Sequence, residues 1–351
     1  MRGPGWWRHI PQGTPFHNGR GEEETEVIQN QSSRPRFALI DIARGAAIIA
    51  MAIYHLCWDL WYFGFIATGV GYEPGWVLFA RAILWSFLFL VGTGLVLGHG
   101  RGIRWSAFWR RWIFVAIGAL LITLATWLGF PETFVYFGVL HAIALFSLAG
   151  LAFVRAPLAL VAAIALVVIA APFFYSDPLF NQKWWSWIGF WQVPPPTNDL
   201  VPVFPSFGAV LLGILAMRLV LASPLAPRLA AIEARSRAAR ALAWLGRWSL
   251  LIYLLHQPLL LGLIYPAAQV MQPQIGRRTS DFLQSCQSTC EGGGTSAALC
   301  TTYCQCGLEG IEKNELWDAV YSGLVSAEQQ ALLDAQNRQC SAVIYPEPGV
   351  Q

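Results

Sequence analysis

Seven long apolar stretches, separated by shorter polar connections, dominate the chain between residues 36 and 270. Each approaches or exceeds the 18 apolar residues expected of a membrane-crossing helix. The stretches are 37–58, 75–97, 109–129, 134–154, 157–175, 201–222 and 248–268. This pattern predicts an all-α, polytopic membrane helix bundle. The connection 218–247, rich in arginine and alanine, is predicted to hold a further short helix at the interface.

Two polar regions flank these stretches. Residues 1–35 are rich in Gly, Pro and Arg and lack the apolar core of a secretory signal, so we expect a disordered cytoplasmic tail. Residues 276–351 are polar and hold six of the seven cysteines. The predicted organisation is therefore a tail at 1–35, a membrane domain at 36–270 and a cysteine-rich region at 276–351.

Composition supports the membrane assignment. Charged residues make up 12% of the chain and hydrophobic residues 56%, whereas a soluble domain carries about 25% charged residues. The mean hydropathy is +0.48, and the 17 tryptophans suit the aromatic belts at membrane interfaces. The lipid bilayer is thus the first predicted partner, and nucleic acid is not expected.

Positive charge alternates between the connections. The connections 98–111 and 218–247 are rich in arginine, whereas 59–75 and 176–200 carry mainly acidic charges. Because arginine and lysine stay on the cytoplasmic side, this alternation predicts a cytoplasmic amino terminus. With seven spans, the carboxyl terminus lies outside, which predicts an inner-membrane protein with its tail in the periplasm.

The cysteine spacing predicts a disulfide-stapled helical tail. Cys286, Cys290, Cys300 and Cys304 read C-x3-C, nine residues, C-x3-C, and the insert contains three glycines for a chain reversal. Six cysteines allow fifteen connectivities. The spacing favours Cys286–Cys304 and Cys290–Cys300, which leaves Cys306 with Cys340. A metal site is the alternative, but the tail contains no histidine, and disulfides persist outside the cytosol. No metal is therefore predicted, and 313–336 is expected to form one or two amphipathic helices.

The first apolar stretch carries four ionisable residues, Asp41, Arg44, His55 and Asp59. Such residues are costly inside a membrane and usually mark function. At 3.6 residues per turn they fall on one stripe, with Arg44 and His55 about 16 Å apart along the helix axis. Asp59, one turn after His55, can orient the imidazole and leave one ring nitrogen free as a base. The alternative for Asp41 and Arg44 is a structural i, i+3 ion pair.

Three more ionisable residues lie within predicted spans: Arg81, His141 and His256. Each histidine has an alternative interpretation as a hydrogen-bonded cross-link between helices. Arg81 has an alternative interpretation as a side chain that extends to the outer surface.

Two motifs resemble those of membrane acyltransferases of the acyltransferase-3 type. The first is D-I-A-R-G, from Asp41 to Gly45, with His55 eleven residues after Arg44. The second is G-R-W-S-L-L-I-Y-L-L-H-Q-P, which runs from Gly246 to Pro258 and includes Arg247 and His256. Over about 36–268 the chain is most similar to the bacterial branch of the heparan-alpha-glucosaminide N-acetyltransferase catalytic domain.

The resemblance implies an acetyl-CoA-dependent membrane O- or N-acyltransferase whose acceptor is a hydroxyl or amine of an extracytoplasmic glycan. His55, with Asp59, takes the catalytic role. The resemblance places Arg44 near the donor entrance. Together with the ionisable residues found within the spans, the predicted substrate- and donor-binding residues are Asp41, Arg44, Arg81, His141, Arg247 and His256. The lysosomal members are thought to use a histidine in the first luminal segment, but this chain has none from Leu56 to Gly98. Either His55 takes that role, or this branch uses different chemistry.

Other questions stay open at this point. His55 can act as a base for direct transfer or carry the acetyl group as an acyl-imidazole. The alternative functions are a transporter or flippase of a glycan or lipid intermediate, and a non-catalytic anchor for the cysteine-rich tail. An oligomer is compatible with the sequence.

Overall fold

The computed structural model describes residues 37–322 and 325–344. These residues are mostly helical and include no β-strand. Five helices are long and apolar enough to cross a membrane: α1 (Ala38–Tyr62), α2 (Pro74–His99), α3 (Trp105–Gly129), α7 (Val203–Ala222) and α10 (Ser249–Met271). Two shorter apolar helices, α4 (Val139–Phe153) and α5 (Leu158–Phe174), follow α3. The multi-pass helical membrane fold is thus confirmed, and its seven helices match the predicted stretches. The seven crossings and their orientation stay predictions.

The start of α4 differs from its predicted position. The helix begins at Val139 and not at residue 134, because 134–138 are not helical and Phe137 pairs with Leu200 in an isolated parallel bridge. The connection after α5 contains a short 3-10 turn (Pro178–Asn181) and one helical turn, α6 (Lys183–Ser186). This connection covers the ends of α3 and α4, where Thr197 Oγ1 donates to Phe134 O at 2.9 Å.

The main core lies between α2, α4, α5 and α7, where Leu88, Phe146, Val161 and Val210 are almost fully buried. By contrast, α3 and α10 expose large aliphatic side chains such as Leu128 and Leu259. In a membrane protein such faces contact lipid, so the exposure of these two helices is consistent with a position at the bundle surface.

The arginine-rich connection before α10 holds two helices, α8 (Leu225–Ala230) and α9 (Arg237–Arg247), which confirms that this segment is helical. Ser236 caps α9 by accepting from Ala239 N–H at 3.0 Å, as an N-cap serine does. The apolar face of α9 packs closely on α1.

The cysteine-rich region contains α11 (Pro273–Gly292), α12 (Ala297–Lys313), α13 (Trp317–Ser322) and α14 (Ala327–Ser341). The disulfides are Cys286–Cys304, Cys290–Cys300 and Cys306–Cys340, which confirms the favoured pairing. Leu308, Ile311 and Leu316 form a small buried core beneath them. The predicted amphipathic helices at 313–336 correspond to α13 and α14. The predicted tail at 1–35 lies outside the described residues.

One side chain ties this region to the membrane bundle. Arg277 on α11 donates to the carbonyl oxygens of Gly64 and Ile66, in the connection after α1, and pairs with Asp281 at 3.2 Å. The stapled region is therefore docked at the end of α1 that carries Asp59.

Candidate active site

Two histidines predicted separately from sequence meet between α1 and α10. The ring centroids of His55 and His256 are 4.9 Å apart, with 60° between the ring planes. Both side chains are half-buried. The two motifs quoted from the sequence therefore converge on one place in the bundle.

The hydrogen bonding of His256 fixes its tautomer. His256 Nδ1 lies 2.7 Å from the backbone oxygen of Tyr253. Because a carbonyl oxygen only accepts, Nδ1 must carry a proton and donate it, and in the neutral imidazole Nε2 then keeps a free lone pair. Nε2 is buried and has no hydrogen-bond partner among the described residues. Neutral His256 therefore keeps a buried, unprotonated nitrogen on a ring whose centroid lies 4.9 Å from that of His55.

Asp59 lies next to this pair and is fully buried. Its Oδ1 accepts a hydrogen bond from Gln257 Nε2 at 2.8 Å. The structure has no hydrogen bond or ion pair between Asp59 and His55, although the i, i+4 spacing predicted one. The glutamine from α10 takes that position because α10 packs against the same face of α1.

Two further polar atoms of this cluster have no partner in the described chain. Asp59 Oδ2 and Gln257 Oε1 are buried without a hydrogen bond, and an unsatisfied buried acceptor costs roughly 1–3 kcal/mol. With His256 Nε2 they make a cluster of three unpartnered acceptors, carried by neighbouring residues where α1 and α10 meet. Such a cluster is suited to a ligand that donates several hydrogen bonds.

A cavity of about 160 Å³ lies between α1, α2, α3, α4 and α10. Its lining is apolar except for three residues, Arg44, Ser249 and Tyr253. Arg44 pairs with Asp41 at 3.7 Å, and both side chains keep about a third of their surface exposed. Tyr253 connects this cavity to the histidine pair, because its ring lines the cavity and its carbonyl holds His256.

The other predicted site residues lie apart from this cluster. His141 Nδ1 accepts from Gly138 N–H at 3.3 Å, and His141 Nε2 contacts Thr123 Oγ1 at 3.1 Å. Both ring nitrogens are thus used to cap α4 and to join it to α3, as the cross-link alternative predicted. Arg81 is exposed on α2. Arg247 is exposed at the end of α9, in a cleft beside Trp244 and Trp248.

Two glycines bring the motifs together. A Cβ on Gly45 would meet the backbone oxygen of Leu242, and a Cβ on Gly246 would meet the backbone oxygen of Asp41. Close approach of α1 and α9 therefore requires glycine at both positions. This contact places the D-x-x-R-G and G-R segments against each other at the base of the Arg44 cavity.

Residues 36–258 match the family described as heparan-alpha-glucosaminide N-acetyltransferase, catalytic. The chain belongs to this family. Comparison with curated proteins and with solved structures gave no match. The matched segment ends at Pro258, directly after His256 and Gln257, so it includes both histidines and leaves the stapled region outside. The protein is therefore a multi-pass member of a membrane acetyltransferase family.

Sequence reasoning missed two residues of this site, Gln257 and Tyr253. Gln257 could have been found as an amide side chain between His256 and Pro258 within an apolar span. The role of Tyr253 depends on its backbone oxygen, for which the sequence carries no signal. Within 37–322 and 325–344, no cluster of three His, Cys, Asp or Glu side chains is arranged to hold a metal ion.

A further carboxylate, Asp199, lies in the connection before α7. Its Oδ2 accepts from Val139 N–H at 2.8 Å, at the start of α4. Burial raises the pKa of Asp199 to about 6, and the bond from Val139 opposes this change. Asp199 also interacts electrostatically with the Tyr253 side chain, which places it near the cavity.

Proposed function

We propose that the protein transfers an acetyl group from cytoplasmic acetyl-CoA to a primary amine of an extracytoplasmic sugar. The observation that carries this proposal is the cluster of three unpartnered acceptors beside His55: His256 Nε2, Asp59 Oδ2 and Gln257 Oε1. An amine enters as an ammonium ion with three N–H donors, whereas a hydroxyl has one. Both the number of acceptors and the carboxylate charge favour the amine over the hydroxyl.

The donor would enter from the side of Arg44. Arginine suits the phosphates of coenzyme A. Basic residues between 98 and 111 and between 218 and 247 that could assist are Arg101, Arg104, Arg110, Arg111, Arg235, Arg237 and Arg240. The apolar cavity beyond Arg44 suits the thioester arm. Tyr253, at the far side of this cavity, leads to the histidine pair.

The chemical step follows from the tautomer of His256. Asp59 and Gln257 hold the ammonium, and His256 Nε2 removes one proton to give the neutral amine nucleophile. The amine attacks the thioester carbonyl, and a C–N bond forms as the carbonyl becomes a tetrahedral alkoxide. Collapse of this intermediate breaks the C–S bond and releases the thiolate of coenzyme A. His55 takes the second amine proton and passes it to the thiolate. His256 releases the first proton to solvent, which leaves an amide, coenzyme A and both histidines neutral.

The proposal is tested with acetyl-CoA carrying a radioactive acetyl group, added to the purified protein in liposomes. We expect label in an alkali-stable amide with glucosamine as acceptor, and much less label with glucose. His256→Ala should lower kcat about 10²–10⁴-fold, as loss of a general base does. Cys57→Ser is a matched control on α1, because Cys57 is a free cysteine outside the cluster.

Three results would contradict the proposal. Transport of the acceptor across the liposome membrane without its acetylation would favour the alternative function, a transporter. Full activity of the His256→Ala variant would exclude His256 as the base. Stable label on the protein in the absence of acceptor, lost in the His55→Ala variant, would replace direct transfer by an acyl-imidazole on His55.

A further inference from the structure

An open cleft of about 510 Å³ lies at the junction of α9 and α10 and is lined by Trp244, Arg247 and Trp248. About half of each indole surface is exposed. The two ring centroids are 6.5 Å apart, with 47° between the planes. The cleft therefore presents aromatic faces and one guanidinium group to the same space.

The exposed face of α9 extends this positive charge. Arg237, Arg240, Trp244 and Arg247 are spaced three, four and three residues apart, which puts them on one side of the helix. All four are exposed, and the opposite face of α9, with Leu242 and Gly246, packs on α1. Within the described ranges, no guanidinium group of these arginines forms a hydrogen bond or ion pair. The stripe is thus free to bind an anion.

The residues of the cleft, the cavity and the histidine pair follow one another in the chain from the end of α9 into α10. Arg247 and Trp248 line the cleft, Ser249, Leu250 and Tyr253 line the Arg44 cavity, and His256 lies beyond. Within α10, His256 lies seven positions after Ser249, about 10 Å at the helical rise, and Arg247 lies just before the start of this helix. A ligand with an aromatic, phosphorylated end and a slender arm fits this order.

We propose that Trp244 and Trp248 stack on the purine base of the donor and that Arg247 binds its phosphate. This inference rests on the proposed function, since it assigns the nucleotide end of the same donor. The purine offers a π-face on which an exposed indole can stack, and the phosphates of the nucleotide complement Arg247 and the α9 stripe. An anionic lipid headgroup also carries phosphate but no planar ring, so the indole pair favours the nucleotide.

The test measures binding by the full-length protein in nanodiscs of phosphatidylcholine alone. The ligands are coenzyme A, adenosine 3′,5′-bisphosphate and pantetheine, and calorimetry gives each Kd. The Trp244→Ala/Trp248→Ala double variant and Arg247→Ala should each weaken the two nucleotides by about tenfold or more, with pantetheine unchanged. Trp105→Ala and Arg228→Ala are matched controls, because both residues are exposed and lie outside the cleft.

Transfer kinetics supply the second readout. The same variants should raise KM for acetyl-CoA by a similar factor and leave kcat, and the KM for acetyl-pantetheine, unchanged. Equal weakening of both donors, or no change in either, would overturn the assignment. Weaker binding of phosphatidylglycerol by the variants, with nucleotide binding intact, would also overturn the assignment. If the wild type binds nucleotides through the cleft but transfers no acetyl group, the proposed function fails and the cleft assignment stands.

Discussion

Two intramembrane histidines illustrate how partner atoms decide the role of a residue. His141 uses both ring nitrogens within the fold, on Gly138 and Thr123. His256 uses only one, on the Tyr253 carbonyl, and keeps the other unpartnered. In the sequence both were lone histidines in apolar spans. The difference arises from neighbours on other helices and from backbone geometry, which composition does not encode.

The Asp59–Gln257 pair supports a prediction at the same scale. Asp59→Asn keeps a side chain that can bond Gln257 but removes the negative charge that holds an ammonium. We expect KM for the amine acceptor to rise about tenfold or more, because a hydrogen bond to a charged group is worth roughly 1.5–3 kcal/mol. Steady-state kinetics at fixed acetyl-CoA measure this change.

An exchange of the two groups serves as the control for this prediction. The double variant Asp59→Asn/Gln257→Glu returns the carboxylate to the cluster from the other helix and should recover part of the lost affinity. An unchanged KM in Asp59→Asn would show that the acceptor binds elsewhere.

At the scale of elements, the crossing of α1 and α9 determines how the motifs meet. Gly45→Ala inserts a methyl group against the backbone oxygen of Leu242, and overpacking of this kind costs about 1–3 kcal/mol. Thermal unfolding in detergent should therefore show a lower Tm. Gly262→Ala in α10 is the matched control, since nothing lies within 4 Å of its Cβ position, and its Tm should stay the same or rise. Equal Tm for the wild type and Gly45→Ala would contradict the crossing.

A second element-scale prediction concerns Asp199 at the start of α4. Its folded pKa of about 6 exceeds the unfolded value near 3.9, so the folded state binds this proton more tightly. The stabilising contribution is complete below about pH 4 and is lost as the pH rises through about 6. Asp199→Asn retains an acceptor for Val139 N–H and removes the titration. Between pH 4 and pH 7, the Tm of the wild type should fall relative to that of the variant, and parallel curves would exclude this role.

At the scale of the whole molecule, the tail and the bundle are joined. Arg277 connects α11 to the connection after α1, and three disulfides hold the helices of the tail. Since disulfides persist outside the cytosol, the stapled region supports the orientation that arginine placement predicts. In this predicted orientation, the end of α1 with Asp59 would face outward and Arg44 would lie toward the cytoplasm.

This orientation predicts the labelling of cysteines in intact cells. After mild reduction, a membrane-impermeant maleimide should label the six tail cysteines from outside. A second variant lacks the cysteine-rich tail, carries Cys57→Ser, and has one cysteine introduced by Arg228→Cys. This cysteine should react only after permeabilisation. The opposite pattern would reverse the topology, and the donor would then have to reach Arg44 from outside.

Much of this protein follows from its sequence alone. Apolar length predicts the helices, because the bilayer requires backbone groups to be hydrogen-bonded within the chain. Arginine placement predicts the orientation of the helices, because positive charge tends to stay on the cytoplasmic side. Cysteine spacing favoured the correct disulfides, since i and i+4 share a helical face. The first-span stripe and the late histidine were also visible, because ionisable residues are rare in apolar helices.

Only the tertiary structure decided how these groups act. In the folded protein His256 lies beside His55. Asp59 bonds to Gln257 instead of His55, and three buried acceptors have no partner among the described residues. Helix α4 starts at Val139 and not at the predicted residue 134, because the segment before it pairs with the connection preceding α7. These outcomes depend on contacts between helices far apart in the chain, which helical periodicity cannot specify. The sequence placed the polar groups on α1, whereas helix packing determined which atoms remain free for a substrate.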